Sequence, residues 1–147
     1  MTRGLQVMAA FAWTASVWAG PSQSQDVGLA ARIAAAIDAG GTEQGHIFAP
    51  DVTLRIRAII RKAFDGPGGR NIRRTIRETE PLPPITMRVR EVYPDDVKFT
   101  TMPPTLLRVL PALPADLTYR IVGRTLVLLD PRTNVILDFI PNAIPRE

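Results

Sequence analysis

The stretch LTYRIVGRTLVLLDPRTNVILDFI, residues 117–140, holds three apolar, β-prone runs separated by two turn signals. The first turn lies at Gly123 and Arg124, a two-residue loop in which glycine tolerates a positive φ. The second, DPRTN at 130–134, combines a proline that presets φ with Asp and Asn side chains that can hydrogen-bond the local backbone. We therefore predict three antiparallel strands, over 118–122, 125–129 and 135–140.

The middle run, LVLL at 126–129, is continuously apolar, which is typical of a strand covered on both faces. In the last run, Asp138 lies two residues from both Ile136 and Ile140, so these three side chains are expected on one face. Asp138 is thus the acid for which burial is expected. We interpret it as a structural carboxylate satisfied by hydrogen bonds; the alternative is an acid whose pKa is raised by burial, as an enzyme would need.

Two helices are predicted before the proline-rich part of the chain. The first spans 27–39, with Asp26 as its N-cap and Gly40 after its end. Its apolar stripe is narrow, which suits packing against one neighbour or a loosely attached arm. The second begins at Pro50 and ends before the GPGG run at 66–69. The apolar residues of the second helix cluster in one sector at ~100° per residue: Val52, Ile56, Ile59 and Ala63, with Ile60 and Phe64 at the edge.

A short third helix is expected over 71–78, with Ile72 and Ile76 facing inward and arginines outward. The region 81–114 carries eight of the 14 prolines, which excludes a long helix. Within it, the alternation from Ile85 to Arg90 predicts a half-buried strand, and 97–100 a second short one. A helical turn after the Pro103–Pro104 pair is expected to bury three leucines: Leu106, Leu107 and Leu110. These interleaved apolar residues disfavour the alternative of a polyproline ligand.

Residues 1–19 match a secretory signal peptide, with a positive Arg3, an apolar stretch and a small-residue pair ending at Ala19, after which we place cleavage. The stretch is shorter than the about 20 apolar residues of a full membrane span; an uncleaved anchor is the alternative. Without cysteine, attachment as a lipoprotein is excluded. We therefore expect a periplasmic protein with no stable membrane span after cleavage.

The expected organisation is a signal peptide at 1–19, an N-terminal arm with a short Ala-rich helix and a Gly linker at 20–45, and a small domain at 46–147. The fold class expected is α+β, with a C-terminal antiparallel meander of three or more strands packed against one or two short amphipathic helices. The absence of cysteine also excludes disulfides and thiolate metal sites.

The formal net charge is +4, and all basic residues except Lys62 and Lys98 are arginine. Arginine presents a planar fork of donors suited to phosphate and carboxylate, although GC-rich coding would also favour it over lysine. The most basic stretch is 55–77, where Asp65 is the single acid. We predict its basic residues as an anion-binding or partner-binding face, the alternative being a solvated helix surface: Arg55, Arg57, Arg61, Lys62, Arg70, Arg73, Arg74 and Arg77.

The order EPLPP at 80–84, an Arg-rich helical region before it and LPALPADLTYRIVGRTLVLLDPRTNVILDFI at 110–140 resembles small exported bacterial proteins of the RcnB and CigR type. The resemblance covers roughly 59–140. It implies a small periplasmic α+β domain with a structural shared motif. RcnB-type proteins are linked to nickel and cobalt homeostasis and CigR-type proteins to regulation of virulence.

Little in the chain suits metal or catalytic chemistry. It has one histidine, His46, which we interpret as a surface or packing residue, and Asp95 and Asp96 are interpreted as turn residues. We expect no cofactor, no metal site and no enzyme activity. The expected function is a non-catalytic periplasmic accessory or binding protein for an anionic envelope component or acidic protein. A metal-responsive periplasmic protein is the alternative. Nucleic acid is not expected as a partner, since no aromatic residues are interleaved with the basic ones, and the sequence gives no sign of the oligomeric state.

Overall fold

A computed structural model of the chain describes residues 21–78 and 85–146, in which four helices and a three-stranded antiparallel sheet form an α+β fold, as expected. The helices are α1 (Pro21–Ala39), α2 (Pro50–Asp65), α3 (Gly69–Arg77) and α4 (Pro104–Val109). The strands are β1 (Thr118–Val122), β2 (Thr125–Asp130) and β3 (Val135–Ile140), in the order β1-β2-β3. The expected signal peptide, 1–19, lies outside the described residues.

The predicted meander is confirmed, with Gly123 in the first turn at a φ of 61°. The prediction that Ile136 shares a face with Asp138 and Ile140 is wrong. Asp138 is opposite Leu128 and Ile136 is opposite the next residue of β2, so the register shifts and the intervening Leu137 has no partner. Such a β-bulge reverses the alternation of side chains across the sheet, and it turns Ile136 to the other face.

Each face of the sheet is covered by its own core, as the apolar run of β2 predicted. The helix-side core contains Leu126 and Leu128 together with buried residues of α1, α2, α3 and α4. The opposite core contains Val127 and Leu129, packed with Tyr93 from the proline-rich segment. All four β2 side chains are at most 1% exposed. Burial of this kind contributes roughly 1.5–3 kcal/mol for each large aliphatic side chain, so this strand is the centre of the fold.

Helix α1 begins at Pro21 rather than after Asp26, so the predicted N-cap is wrong. Proline is favoured in the first turn of a helix because its missing N–H would have no intrahelical partner there. The predicted end is confirmed, with Gly40 at a φ of 70°. Leu29 and Ile33 of this helix are fully buried in the helix-side core.

Helix α2 has the predicted bounds, but its buried stripe runs through Val52, Ile56, Ile60 and Phe64. Ile59 and Ala63, expected at the centre of the apolar sector, are only partly buried against the same core. Helix α2 packs against α3 and α4, and its buried stripe belongs to the helix-side core, whereas Leu54 remains 69% exposed on the far side.

The predicted strands at 85–90 and 97–100 are wrong, because residues 85–103 contain only isolated bridges to the sheet, Val92 with Val135 and Thr100 with Ile121. Arg90 has a φ of 70°, which breaks the extended backbone. The apolar residues of this segment still cover the sheet. Leu107, predicted in the core, is 47% exposed, because the short α4 turns only Leu106 and Leu110 inward.

The two tyrosines of the chain provide a test of this packing. Burial raises the pKa of Tyr119 above the ordinary value of 10.0, and its hydroxyl donates to the carbonyl oxygen of Pro111 at 2.9 Å. Burial, and secondarily the charge of Asp96, raises the pKa of Tyr93. Folding therefore favours the neutral phenols, and this contribution to stability is fully present below pH 10 and lost as the pH rises above it.

We expect an ultraviolet titration to show tyrosinate forming at higher pH in the native protein than in the urea-unfolded chain, which ionises with a pKa near ~10. In the native sample, ionisation of Tyr119 should coincide with loss of the circular dichroism of the fold. If both tyrosines ionise with a pKa near ~10 while the native circular dichroism spectrum persists, the packing of both rings is contradicted.

Candidate functional site

The basic residues of α2 lie on two opposite flanks of the helix. With ~100° per residue and the stripe from Val52 to Phe64 facing inward, Arg57 and Arg61 point to one side and Arg55 and Lys62 to the other. All four are exposed. The basic stretch predicted from the sequence is therefore divided between separate surfaces.

One of these surfaces is a depression of about 630 Å³ in which five arginines meet. We call it the arginine pocket, and its basic residues come from α2, α3, the β1–β2 turn and the chain after β3: Arg57, Arg61, Arg73, Arg124 and Arg146. The rest of its lining includes one acid, Asp65, and the ring of Phe64. Five cations against one carboxylate give this concave surface a strongly positive field.

Two of the arginines are fixed by contacts to the chain that follows β3. Arg57 donates from Nη2 to the carbonyl oxygen of Pro141 at 2.7 Å. Arg124 donates from Nε to the carbonyl oxygen of Ile144 at 3.0 Å and from Nη1 to Oδ1 of Asn142 at 3.2 Å. The segment itself is held by Ile144, which is buried and whose N–H donates to the carbonyl oxygen of Arg124 at 3.1 Å.

Arg73 is positioned by the close approach of α3 to the end of α2. A Cβ at Gly69 would lie 1.8 Å from the carbonyl oxygen of Phe64, so only glycine permits this packing. One turn later, the guanidinium carbon of Arg73 lies 5.6 Å from the centroid of the Phe64 ring, a cation–π contact. Arg61 and Arg146 are exposed and, within 21–78 and 85–146, make no hydrogen bond or ion pair.

A second depression, of about 490 Å³, lies along the outer side of α3 and shares Arg73 with the arginine pocket. It is lined by Arg70, Arg73, Arg74, Arg77 and Glu78. The exposed pair of Arg74 Nε and Glu78 Oε1 is separated by 3.9 Å, and an exposed pair of this kind contributes ~0–1 kcal/mol. This depression is less positive than the arginine pocket, because it has four arginines against one carboxylate rather than five against one.

Lys62 faces a third surface, an apolar groove of about 980 Å³ between α1, α2 and the chain around α4. Its floor includes Ile59 and Val109, and Arg108 is its other cation. Arg55 lines none of the three surfaces. The structure thus brings Arg57, Arg61 and Arg73 together, groups Arg70, Arg74 and Arg77 beside them on α3, and separates Arg55 and Lys62 from both groups.

Sequence reasoning missed Arg124 and Arg146 as members of the site. The sequence around Arg124 indicates only a turn, and nothing local to Arg146 distinguishes it from any other surface arginine. Both reach the pocket because Ala143 and Ile144 are buried in the helix-side core, which folds the end of the chain back past the β1–β2 turn. This is a long-range packing effect that no short pattern around either arginine records.

Asp138 is fully buried and its carboxylate is saturated by backbone donors, as expected for a structural carboxylate. Oδ1 accepts from the N–H groups of Gly45 at 2.9 Å and Phe139 at 2.8 Å. Oδ2 accepts from those of Ile47 at 2.9 Å and Phe48 at 2.8 Å. The carboxylate therefore ties the loop before α2 to β3.

His46 lies in the same loop, where its Nε2 donates to the carbonyl oxygen of Ala36 in α1 at 3.0 Å. This agrees with its interpretation as a packing residue. Within the described ranges, no three His, Asp or Glu side chains are grouped so as to hold a metal ion. None of the helices formed by 21–78 and 85–146 has the length and apolar character needed to cross a membrane.

Comparison of the chain with protein-family models, with curated proteins and with solved structures gave no match. The resemblance to exported RcnB-type and CigR-type proteins stays a prediction from the sequence.

Because Asp138 anchors the loop before α2, even a nearly isosteric substitution of this residue is expected to lower the stability of the fold strongly. In Asp138→Asn, the amide nitrogen replaces an acceptor and confronts buried N–H groups, leaving donors unsatisfied. We expect the free energy of unfolding, measured by urea denaturation, to fall by about 3 kcal/mol or more, as when one partner of a buried charged network is removed. The matched control, Asp116→Asn at an exposed position, should change it by less than about 0.5 kcal/mol. Equal effects of the two substitutions would contradict the anchoring role.

Proposed function

We propose that the protein is a non-catalytic accessory protein of the bacterial periplasm that binds an anionic partner, an envelope polymer or an acidic protein, through its arginines. The observation that carries this proposal is the arginine pocket, where five guanidinium groups from four parts of the chain surround one depression. Cations spread evenly over a surface repel one another weakly, so an even spread would not indicate a binding site. Cations gathered around a concavity favour an anion at its centre.

The type of residue supports the same conclusion. A guanidinium group stays charged at all physiological pH values, is weakly hydrated and can bind an oxyanion through two parallel N–H groups. Arg57 is already held by the carbonyl oxygen of Pro141. Arg124 is held by a carbonyl oxygen and the side-chain amide of Asn142, and Arg73 by the ring of Phe64. Less side-chain entropy is lost on binding when the donors are ordered beforehand.

The neighbouring depression on α3 extends the positive surface. Arg73 lies in both, so the two depressions adjoin along one side of the molecule. An extended surface of this kind suits a polyanion or an acidic protein surface better than a single ion. The proposed periplasmic location rests on the signal-peptide pattern of residues 1–19.

We expect the mature protein to be retained on a polyanionic matrix at low ionic strength and released as salt is added, because exposed charges are screened over ~10 Å at 0.1 M salt. The double substitution Arg61→Gln with Arg146→Gln removes two cations that make no contacts within the described ranges. It should therefore elute at lower salt without loss of stability.

The matched control is Arg88→Gln with Lys98→Gln, which removes the same charge from exposed positions in the segment that covers the other face of the sheet. Its elution should stay close to that of the wild type. Equal shifts for the two double variants would show that net charge alone governs retention. That result, or a wild-type protein that is not retained at low salt, would overturn the proposal.

A further inference from the structure

The arginine pocket differs from a general basic surface in the way its donors are arranged. Arg57 and Arg61 lie one turn apart on α2, Arg73 approaches from α3, and Arg124 and Arg146 come from the hairpin turn and the last segment. The donors therefore reach the depression from several directions. We propose that this pocket is a binding site for a phosphorylated group, a diphosphate or a phosphomonoester. This inference rests on the proposed function and specifies the ligand chemistry of its site.

The number and arrangement of cations favour phosphate over carboxylate. A carboxylate is planar, carries one charge and is satisfied by one or two guanidinium forks. A phosphomonoester is tetrahedral, carries about −1.5 to −2 charges at pH 7 and presents three strong acceptor oxygens. Five arginines opposed only by Asp65 match the higher charge, and donors from four segments match a tetrahedral group better than a plane.

The contacts that fix the arginines leave donors for a ligand. Each guanidinium has five N–H groups. Arg57 uses Nη2 for the carbonyl of Pro141, and Arg124 uses Nε and Nη1, so its Nη2 has no bond to the described residues. The Arg73 group lies over the Phe64 ring, and stacking leaves the edge of its fork available for hydrogen bonds in the plane.

The size of the depression indicates a ligand larger than a single phosphate ion. Its volume of about 630 Å³ lies within the range of roughly 300–1,000 Å³ for small-molecule sites. The buried Phe64 and Ala143 form an apolar base to the depression, and the half-buried Pro145 lies beside the cations. A phosphorylated group attached to a sugar or glycerol body would use both parts.

The first experiment is a calorimetric titration of the full mature protein with inorganic pyrophosphate, and with citrate as a carboxylate of similar charge. We expect saturable binding of pyrophosphate that is clearly tighter than that of citrate. Arg61→Gln should weaken pyrophosphate binding at least about tenfold, the loss of roughly one charge-assisted contact. Arg61→Lys keeps the charge but loses the fork, so it should also weaken binding.

The matched control is Arg88→Gln, which removes one exposed arginine from the segment that covers the other face of the sheet and should leave pyrophosphate affinity within about twofold, since exposed charges far from a site contribute little. Equal weakening by Arg61→Gln and Arg88→Gln, or citrate binding as tightly as pyrophosphate, would overturn the assignment of a phosphate pocket.

A second experiment separates a lipid headgroup from a soluble phosphate compound. Vesicles containing phosphatidic acid present a phosphomonoester, whereas phosphatidylglycerol vesicles present a diester with one charge. Preferential binding to phosphatidic acid that is displaced by pyrophosphate and weakened by Arg61→Gln supports a headgroup ligand. Pyrophosphate binding without vesicle binding supports a soluble phosphate compound.

The outcomes also distinguish this inference from the proposed function. Retention on the polyanionic matrix without any pyrophosphate binding overturns the phosphate pocket and leaves the proposed partner binding intact. Pyrophosphate binding without retention on the matrix overturns the proposed polymer or acidic-protein partner and supports the pocket as a small-molecule site.

Discussion

The carboxylate of Asp138 is the contact on which the arrangement of the helices depends. It is fully buried, and it accepts three hydrogen bonds from the loop at 45–48 and one from its own strand. An unpaired buried charge costs several kcal/mol, roughly as much as a small domain can lose before it unfolds. The loop is therefore held in the one conformation that satisfies both carboxylate oxygens.

That anchor determines where α2 begins and, with it, where the arginines lie. Helix α2 has no side-chain N-cap, and its first turn is joined to the loop by Thr53, whose hydroxyl donates to the carbonyl of Phe48 at 2.8 Å. One turn later Arg57 reaches Pro141, directly after β3. Asp138 thus connects the loop before α2 to β3, and Arg57 connects α2 to the residue that follows β3. The arginine pocket forms beyond this second contact because the chain after β3 is drawn in by Ile144.

The parts of the fold that the sequence predicted are those with local signals. The two turns of the meander have glycine, proline and Asx residues at the required positions, and α2 is bounded by Pro50 and the GPGG run. The bulge at Leu137 has no such signal, since simple alternation places Ile136 beside Asp138. In the segment 85–103, by contrast, a local pattern predicts strands that do not form. Its apolar residues alternate with polar ones because one side of the segment covers the sheet. The positive φ of Arg90 and the prolines prevent a regular strand.

The candidate site was likewise predictable only where the sequence carries a local signal. Arg57, Arg61 and Arg73 belong to a basic run visible in the sequence, but the helical period divides that run, and Lys62 and Arg55 fall on the other flank of α2. Arg124 and Arg146 replace them, brought in by the contact of Arg124 with Ile144, 20 positions away, and by the contact of Arg57 with Pro141, 84 positions away. Proximity in the sequence therefore overestimates how many of these cations act together. The set that shares one depression is determined by the buried side chains beneath it: Phe64 under Arg73, and Ile144 beside Arg124.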